Sequence, residues 1–174
     1  PLIKVNGCTK NLSVDDFREI SISPVISKTF EHCILRRFNK YFTSSDNQFG
    51  FKKAVGCSHA IYTVRSVINH YVSNGSTVNL CAPDVSKAFD KMNHHGLFIK
   101  LMNRLVPLTL LSVLEDLFSH CYTYVKWLGS VSFSFTLSSV IRQGGVLSPY
   151  LFAVYIDDLI IDIVKKSFGC TYNF

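Results

Sequence analysis

Apolar residues recur along this 174-residue chain at two strides, four and two, and the order in which the strides succeed one another restricts the fold more than any other feature. Ile26, Phe30, Ile34 and Phe38 stand at stride four behind Ser23 and Pro24, a cap and a first helical position, which predicts a helix to about Tyr41. The polar, glycine-containing stretch 43–56 reads as a loop. Ser58 then caps a second predicted helix, with Ala60, Val64, Val67 and Tyr71 on one face and Asn74-Gly75 at its end. Val78, Leu80 and Ala82 alternate with Asn79 and Cys81, a predicted strand that runs directly into Asp84. Leu97, Leu101 and Leu105 return to stride four, Pro107 interrupts, and Leu110 to Phe118 reads as another helix. Val131, Phe133, Phe135 and Leu137 alternate with Ser132, Ser134, Thr136 and Ser138, and Gly129-Ser130 can turn the chain between paired strands. Ser148-Pro149 opens a last helix along Leu147, Leu151, Val154 and Asp158, closed by Gly169. Helix, helix, strand, helix, helix, hairpin, helix is an α+β pattern, without internal repeat or low-complexity tract.

Composition narrows the class of partner. Hydrophobic residues make up 48% and charged residues 17%, which excludes a disordered or charge-rich linker. A chain of this length buries roughly 70% of the surface it exposes when unfolded, so a real core is expected. The formal net charge of +6 favours an anionic partner, with nucleic acid first and an anionic membrane surface second. The bias is spread over short clusters, Arg36-Arg37 with Lys40, Lys52-Lys53 and Lys165-Lys166, each of which reads as a solvated face before a binding site. Cys8, Cys33, Cys57, Cys81, Cys121 and Cys170 show no C-x-x-C spacing and read as reduced, mostly buried thiols. The first twenty residues mix Lys4, Lys10, Asp15, Asp16 and Arg18, unlike a signal peptide, so an intracellular setting is expected, nucleus or cytoplasm left open. The most apolar stretches are broken by Glu115-Asp116 and by Asp157, Asp158 and Asp162, so no membrane span is expected. The start at Pro1 and the lack of methionine before Met92 suggest a piece of a longer reading frame.

Two blocks carry chemistry. In Asp84-Val85-Ser86-Lys87-Ala88-Phe89-Asp90 a carboxylate closes an apolar strand; a strand end fixes it rigidly and leaves the Val85 carbonyl free as a second oxygen ligand for Mg²⁺. On spacing alone, a capping Asp at a strand-to-helix turn is the favoured reading of that placement. In Arg142-Gln143-Gly144-Gly145-Val146-Leu147-Ser148-Pro149 two glycines let backbone approach a ligand just before a helix begins, though an ordinary turn has the same pattern.

Taken in order and about sixty residues apart, D-x-S-K-A-F-D and R-Q-G-x-x-L-S-P-x-L-F-x-x-Y resemble motifs A and B of reverse transcriptases from non-LTR retrotransposons. Upstream, Asp16-Phe17-Arg18-Glu19-Ile20-Ser21 resembles the N-Y-R-P-I-S-L element of that family, and Gln48-Phe49-Gly50-Phe51-Lys52 its Q-F-G-F-R element. The resemblance covers essentially the whole chain. It implies the fingers and an incomplete palm of a right-hand polymerase: residues 1–76 as fingers, and 77–174 as incomplete palm with interleaved fingers helices and a hairpin, motif A at 80–90 and motif B at 141–159. It implies two-metal nucleotidyl transfer using Mg²⁺, an RNA template, a DNA primer and deoxynucleoside triphosphates. By resemblance Asp84 is the catalytic metal ligand with Val85 beside it, and Phe89 is the bulky side chain under the sugar. Gln143 and Gly144 line the nucleotide pocket, Arg18 reaches the triphosphate, and Lys52 or Lys53 assists. Asp90 has no clear role.

Tyr155-Ile156-Asp157-Asp158 spells Y-x-D-D, the wording of motif C in many reverse transcriptases. It falls inside the predicted last helix, where adjacent side chains diverge by about 100° and do not aim at one metal pair. The expectation is that these are not the catalytic carboxylates, that motif C lies beyond Phe174, that the rest of the palm, a thumb and an endonuclease domain are missing from this chain, and that the chain alone does not polymerise. Two positions depart from the family: Pro83 precedes Asp84 where an apolar residue is usual, and Ser139 stands where glycine is common. Both suit a decayed element copy, so a non-enzymatic remnant that binds nucleic acid weakly remains the rival reading. A group II intron protein is disfavoured by the wording of the motifs.

Overall fold

A computed structural model describes residues 2–3, 17–18, 21–85, 88–89, 92–137, 144–166 and 169–170. The elements in order are β1 (Leu2–Ile3), β2 (Phe17–Arg18), α1 (Val25–Phe38), a 3₁₀ turn (Asn39–Tyr41), α2 (Cys57–Ser73), α3 (His94–Asn103) and α4 (Leu108–Ser119). They are followed by β3 (Tyr122–Thr123), β4 (Lys126–Trp127), β5 (Ser130–Val131), β6 (Phe135–Thr136) and α5 (Ser148–Lys165).

Leucines set at helical stride build the core. Leu97 and Leu101 of α3, Leu110 and Leu114 of α4, and Leu151 and Val154 of α5 are almost completely buried and join Ile34 of α1 in one cluster. Each such side chain contributes about 2 kcal/mol by leaving water. Helix α3 packs on α5 at Gly96, where a Cβ would stand 3.4 Å from the Tyr155 ring, an ordinary contact distance. By contrast, no residue of α2 is buried, so the face predicted from Ala60, Val64, Val67 and Tyr71 covers no core.

Helix ends follow backbone chemistry more closely than stride. Pro24, not Ser23, caps α1, and the Ser23 hydroxyl is buried without a hydrogen-bond partner among the described residues. Likewise α2 begins at Cys57, ahead of Ser58, and the Gly56 amide donates to His59 Nδ1 at its start. Asn74-Gly75 closes α2 as predicted: Gly75, at φ +79°, and Ser76 donate back to the Val72 and Tyr71 carbonyls. The same closure ends α3 two residues short of the predicted Leu105. There Leu105 takes the left-handed position, φ +57°, and Leu105 and Val106 donate to Met102 and Leu101.

The strands depart most from expectation. Residues 76–85 form no strand, because a strand exists only through a partner's ladder and the described residues place none beside it. Pro83 would in any case remove a donor. The hairpin forms, but its turn is Leu128-Gly129 rather than Gly129-Ser130. Lys126 pairs with Val131 near the turn and Thr123 with Phe135 farther out, so the returning strand carries one extra residue, a bulge beside the 97% exposed Phe133. A third small sheet pairs β1 with β2, Leu2 opposite Arg18. The cysteines are also less buried than predicted: of those described, Cys121 is buried while Cys33, Cys57, Cys81 and Cys170 are exposed. Among the described residues no helix is long and apolar enough to cross a membrane.

Candidate active site

Helix α5 is where the sequence motifs meet. Phe152, on its second turn, stacks with the Phe89 ring at 4.6 Å, and Phe89 in turn meets Phe51 edge-on at 6.4 Å. One aromatic row thereby joins a residue from each of three motifs separated by long stretches of chain. Such ring pairs contribute about 1 kcal/mol each beyond their burial. Phe51 sits at φ +57°, a conformation that bulky residues rarely adopt, at the turn where its loop bends toward Phe89.

The loop carrying Phe51 is fastened to the same helix by polar groups. The Gln48 side-chain amide donates to the Ala153 carbonyl at 3.2 Å, and the Ser45 amide donates to Asp157 Oδ1 at 2.8 Å. Arg104, just past α3, donates to the Thr43 carbonyl and to Asp157 Oδ2, the latter at 2.7 Å. Asp157 is 3% exposed, so this pair operates in a poorly screened setting. One helix position on, Asp158 meets Lys100 at 2.8 Å, and Lys100 also donates to the Tyr155 carbonyl. Both carboxylates of the Y-x-D-D sequence are therefore inside α5 and engaged by separate cations, as the helical reading of that segment anticipates.

At the head of α5 the turn is equally constrained. Gly144 stands at φ +116°, and a Cβ there would fall 2.5 Å from the Ser21 carbonyl oxygen, so only glycine fits. This places the end of the D-F-R-E-I-S element against the motif B turn. The Val146 and Leu147 amides donate to Oε2 of Glu31, at 2.7 and 3.0 Å.

The remaining candidate residues fare differently. Asp84 and Val85 are exposed at the end of the irregular segment. Together they offer one carboxylate and one carbonyl, fewer ligands than an octahedral Mg²⁺ takes, and among the described residues no three His, Cys, Asp or Glu side chains gather to hold an ion. The residues described thus do not complete a metal site. Lys52 turns back into its own loop, donating to the Ser45 carbonyl and standing 3.7 Å from Asp46, rather than projecting toward Phe89. Arg18 is placed by its backbone in β2, and its side chain, like Gln143 and Asp90, lies outside the described residues. Phe17, its neighbour, meets Trp127 of the hairpin edge-on at 5.4 Å. Sequence reasoning passed over Glu31, Arg104 and Lys100, whose roles depend on partners more than fifty residues away and leave no local pattern.

Residues 7–173 match the family described as Reverse transcriptase (RNA-dependent DNA polymerase). The chain belongs to the reverse transcriptase family. Among its relatives is a Drosophila melanogaster protein named "Probable RNA-directed DNA polymerase from transposon BS", 28% identical over 84% of this chain and 17% of its own length. A second, from the same fly, is the retrovirus-related Pol polyprotein of the type-2 retrotransposable element R2DM, 27% identical over 83% of this chain and 14% of its own length. The RNA-directed DNA polymerase from the mobile element jockey is 28% identical over 84% and 16%. These are polymerases of non-LTR retrotransposons, the branch to which this reverse transcriptase sequence is related across most of its length. The chain spans about a sixth of the length of these relatives. No solved structure matches it.

Proposed function

We propose that this chain is the fingers and the nucleotide-facing part of the palm of a right-hand RNA-directed DNA polymerase, with residues 1–76 as fingers and 77–174 as incomplete palm. The single observation that supports this most strongly is the Phe51-Phe89-Phe152 row, which brings the Q-F-G-F, motif A and motif B elements to one place. In this reading Phe89 stands under the sugar of an incoming deoxynucleoside triphosphate, held upright by a ring on either side. Gln143 and Gly144 line the pocket for the templated base pair, and Arg18 supplies charge to the triphosphate. Asp84 with the Val85 carbonyl contributes one part of the metal ligand set, to which the rest of the palm adds.

The complete protein then copies an RNA template from a DNA primer with two Mg²⁺ ions, and works inside the cell. The chain alone does not polymerise. Lys52, tied into its own loop, is assigned to shaping that loop rather than to holding phosphate.

Primer extension by the whole polymerase carrying this segment tests the reading. Asp84→Ala is expected to abolish RNA-templated extension, and Phe89→Ala to admit ribonucleotides. Equal extension by the native and Asp84→Ala proteins would sink the assignment of Asp84.

A further inference from the structure

Glu31 lies in the middle of α1, is 3% exposed, and has no lysine or arginine within ion-pair distance among the described residues. A carboxylate in that position is costly unless its charge is compensated. The compensation comes from α5: the Val146 and Leu147 amides converge on one oxygen, Oε2. Those amides belong to the turn that leads into α5, Leu147 at its N-cap position and Val146 just before it, where the helix dipole also favours an anion. No side chain of its own caps α5. The carboxylate that holds the turn leading into it comes from 115 residues earlier in the chain.

The geometry points to Glu31 as the positioning residue of the motif B turn, an inference that rests on the polymerase reading above. The turn from Gly144 to Leu147 is gripped at both ends, by the Ser21 backbone pressed against Gly144 and by the Glu31 carboxylate on the next two amides but one. Gln143 immediately precedes this gripped turn. Because a protein carboxylate already accepts from the Val146 and Leu147 amides, those two are closed to nucleotide phosphate. Their task is to hold the turn still against the base pair being formed. Glu31 acts through the turn and touches no substrate.

The test has two arms. In the chain itself, amide hydrogen exchange is read at Val146 and Leu147 in the native, Glu31→Gln and Glu31→Ala forms. In the whole polymerase, nucleotide KM and kcat are read for the same three. Glu31→Ala is expected to expose both amides to exchange and to raise nucleotide KM roughly tenfold, the size of a lost charge-assisted hydrogen bond, with little change in kcat. Glu31→Gln keeps the shape and an acceptor oxygen and should fall between, so it also serves if the alanine variant fails to fold. Unchanged exchange in both variants, or a loss of kcat alone at unchanged nucleotide KM, would overturn the inference. If the native polymerase does not extend a primer, the polymerase reading fails while the exchange arm still decides what Glu31 holds.

Discussion

Arg104 and Asp157 form an ion pair across the α3–α5 contact, Nη2 to Oδ2 at 2.7 Å, with the carboxylate buried and its other oxygen bound to the Ser45 amide. Asp157, one of the two carboxylates of the Y-x-D-D sequence, thus fastens the loop at Ser45 to α5. Losing one partner of a buried pair leaves a charge without compensation, and Arg104→Met or Asp157→Leu should each cost about 3 kcal/mol in urea unfolding. Made together, the two substitutions should cost less than their sum, and strict additivity in the double-mutant cycle would show that the pair is not coupled. Asp158→Asn, at a half-exposed pair with Lys100, should cost about 0.5 kcal/mol.

Gly144→Ala meets two penalties at once, an unfavourable φ and a Cβ that collides with the Ser21 carbonyl. Backbone oxygen cannot swing aside as a side chain does. The variant should lose about 2 kcal/mol or more, and thermal melting beside Gly129→Ala, which has open space around it, separates the collision from the conformational term.

Leu105 is 81% exposed in the left-handed closing position of α3. Its side chain therefore gains little from packing while its backbone is strained. Leu105→Gly should stabilise the chain by about 1 kcal/mol, and a lower urea midpoint would refute the reading.

His94 is held below its ordinary 6.5, first by burial and second by the neighbouring His95 charge. Its ring lies 6.1 Å from Phe118, and among the described residues its Nε2 has no partner to reward a proton. The folded state keeps His94 neutral while the unfolded chain accepts a proton, so its contribution to stability is full above about pH 6.5 and is lost as pH falls through the lower folded value. Urea midpoints measured down to about pH 5 should decline more steeply for the native chain than for His94→Phe.

Helices α4 and α5 were legible because their regularly spaced apolar residues face a core that those same residues create, whereas in α1 Ile34 reaches that core with Phe38 beside it while Ile26 and Phe30 of the same stride are exposed. The strand before Asp84 was not, since alternation in 78–82 describes a willingness to pair and pairing needs a neighbour. The site divides along the same line. Phe89, Gly144 and the motifs around Phe51 and Phe152 could be named from local wording, whereas their meeting, and the parts played by Glu31 and Arg104, belong to tertiary contacts. Lys52 shows the same division: its charge is visible in the sequence, while the Ser45 carbonyl it donates to is not.

Helix α2 runs for 17 residues without burying any of them. A helix of that length is only marginally stable unless it packs. Its opening is therefore a local event, uncoupled from the cooperative melting of the leucine core, and its amides should exchange at rates that ignore global stability. The protein consists energetically of a firm centre around α5 and a semi-autonomous segment beside it, so a substitution such as Ile61→Ala will leave the denaturation midpoint nearly unmoved while a cut within α2 spares the aromatic row.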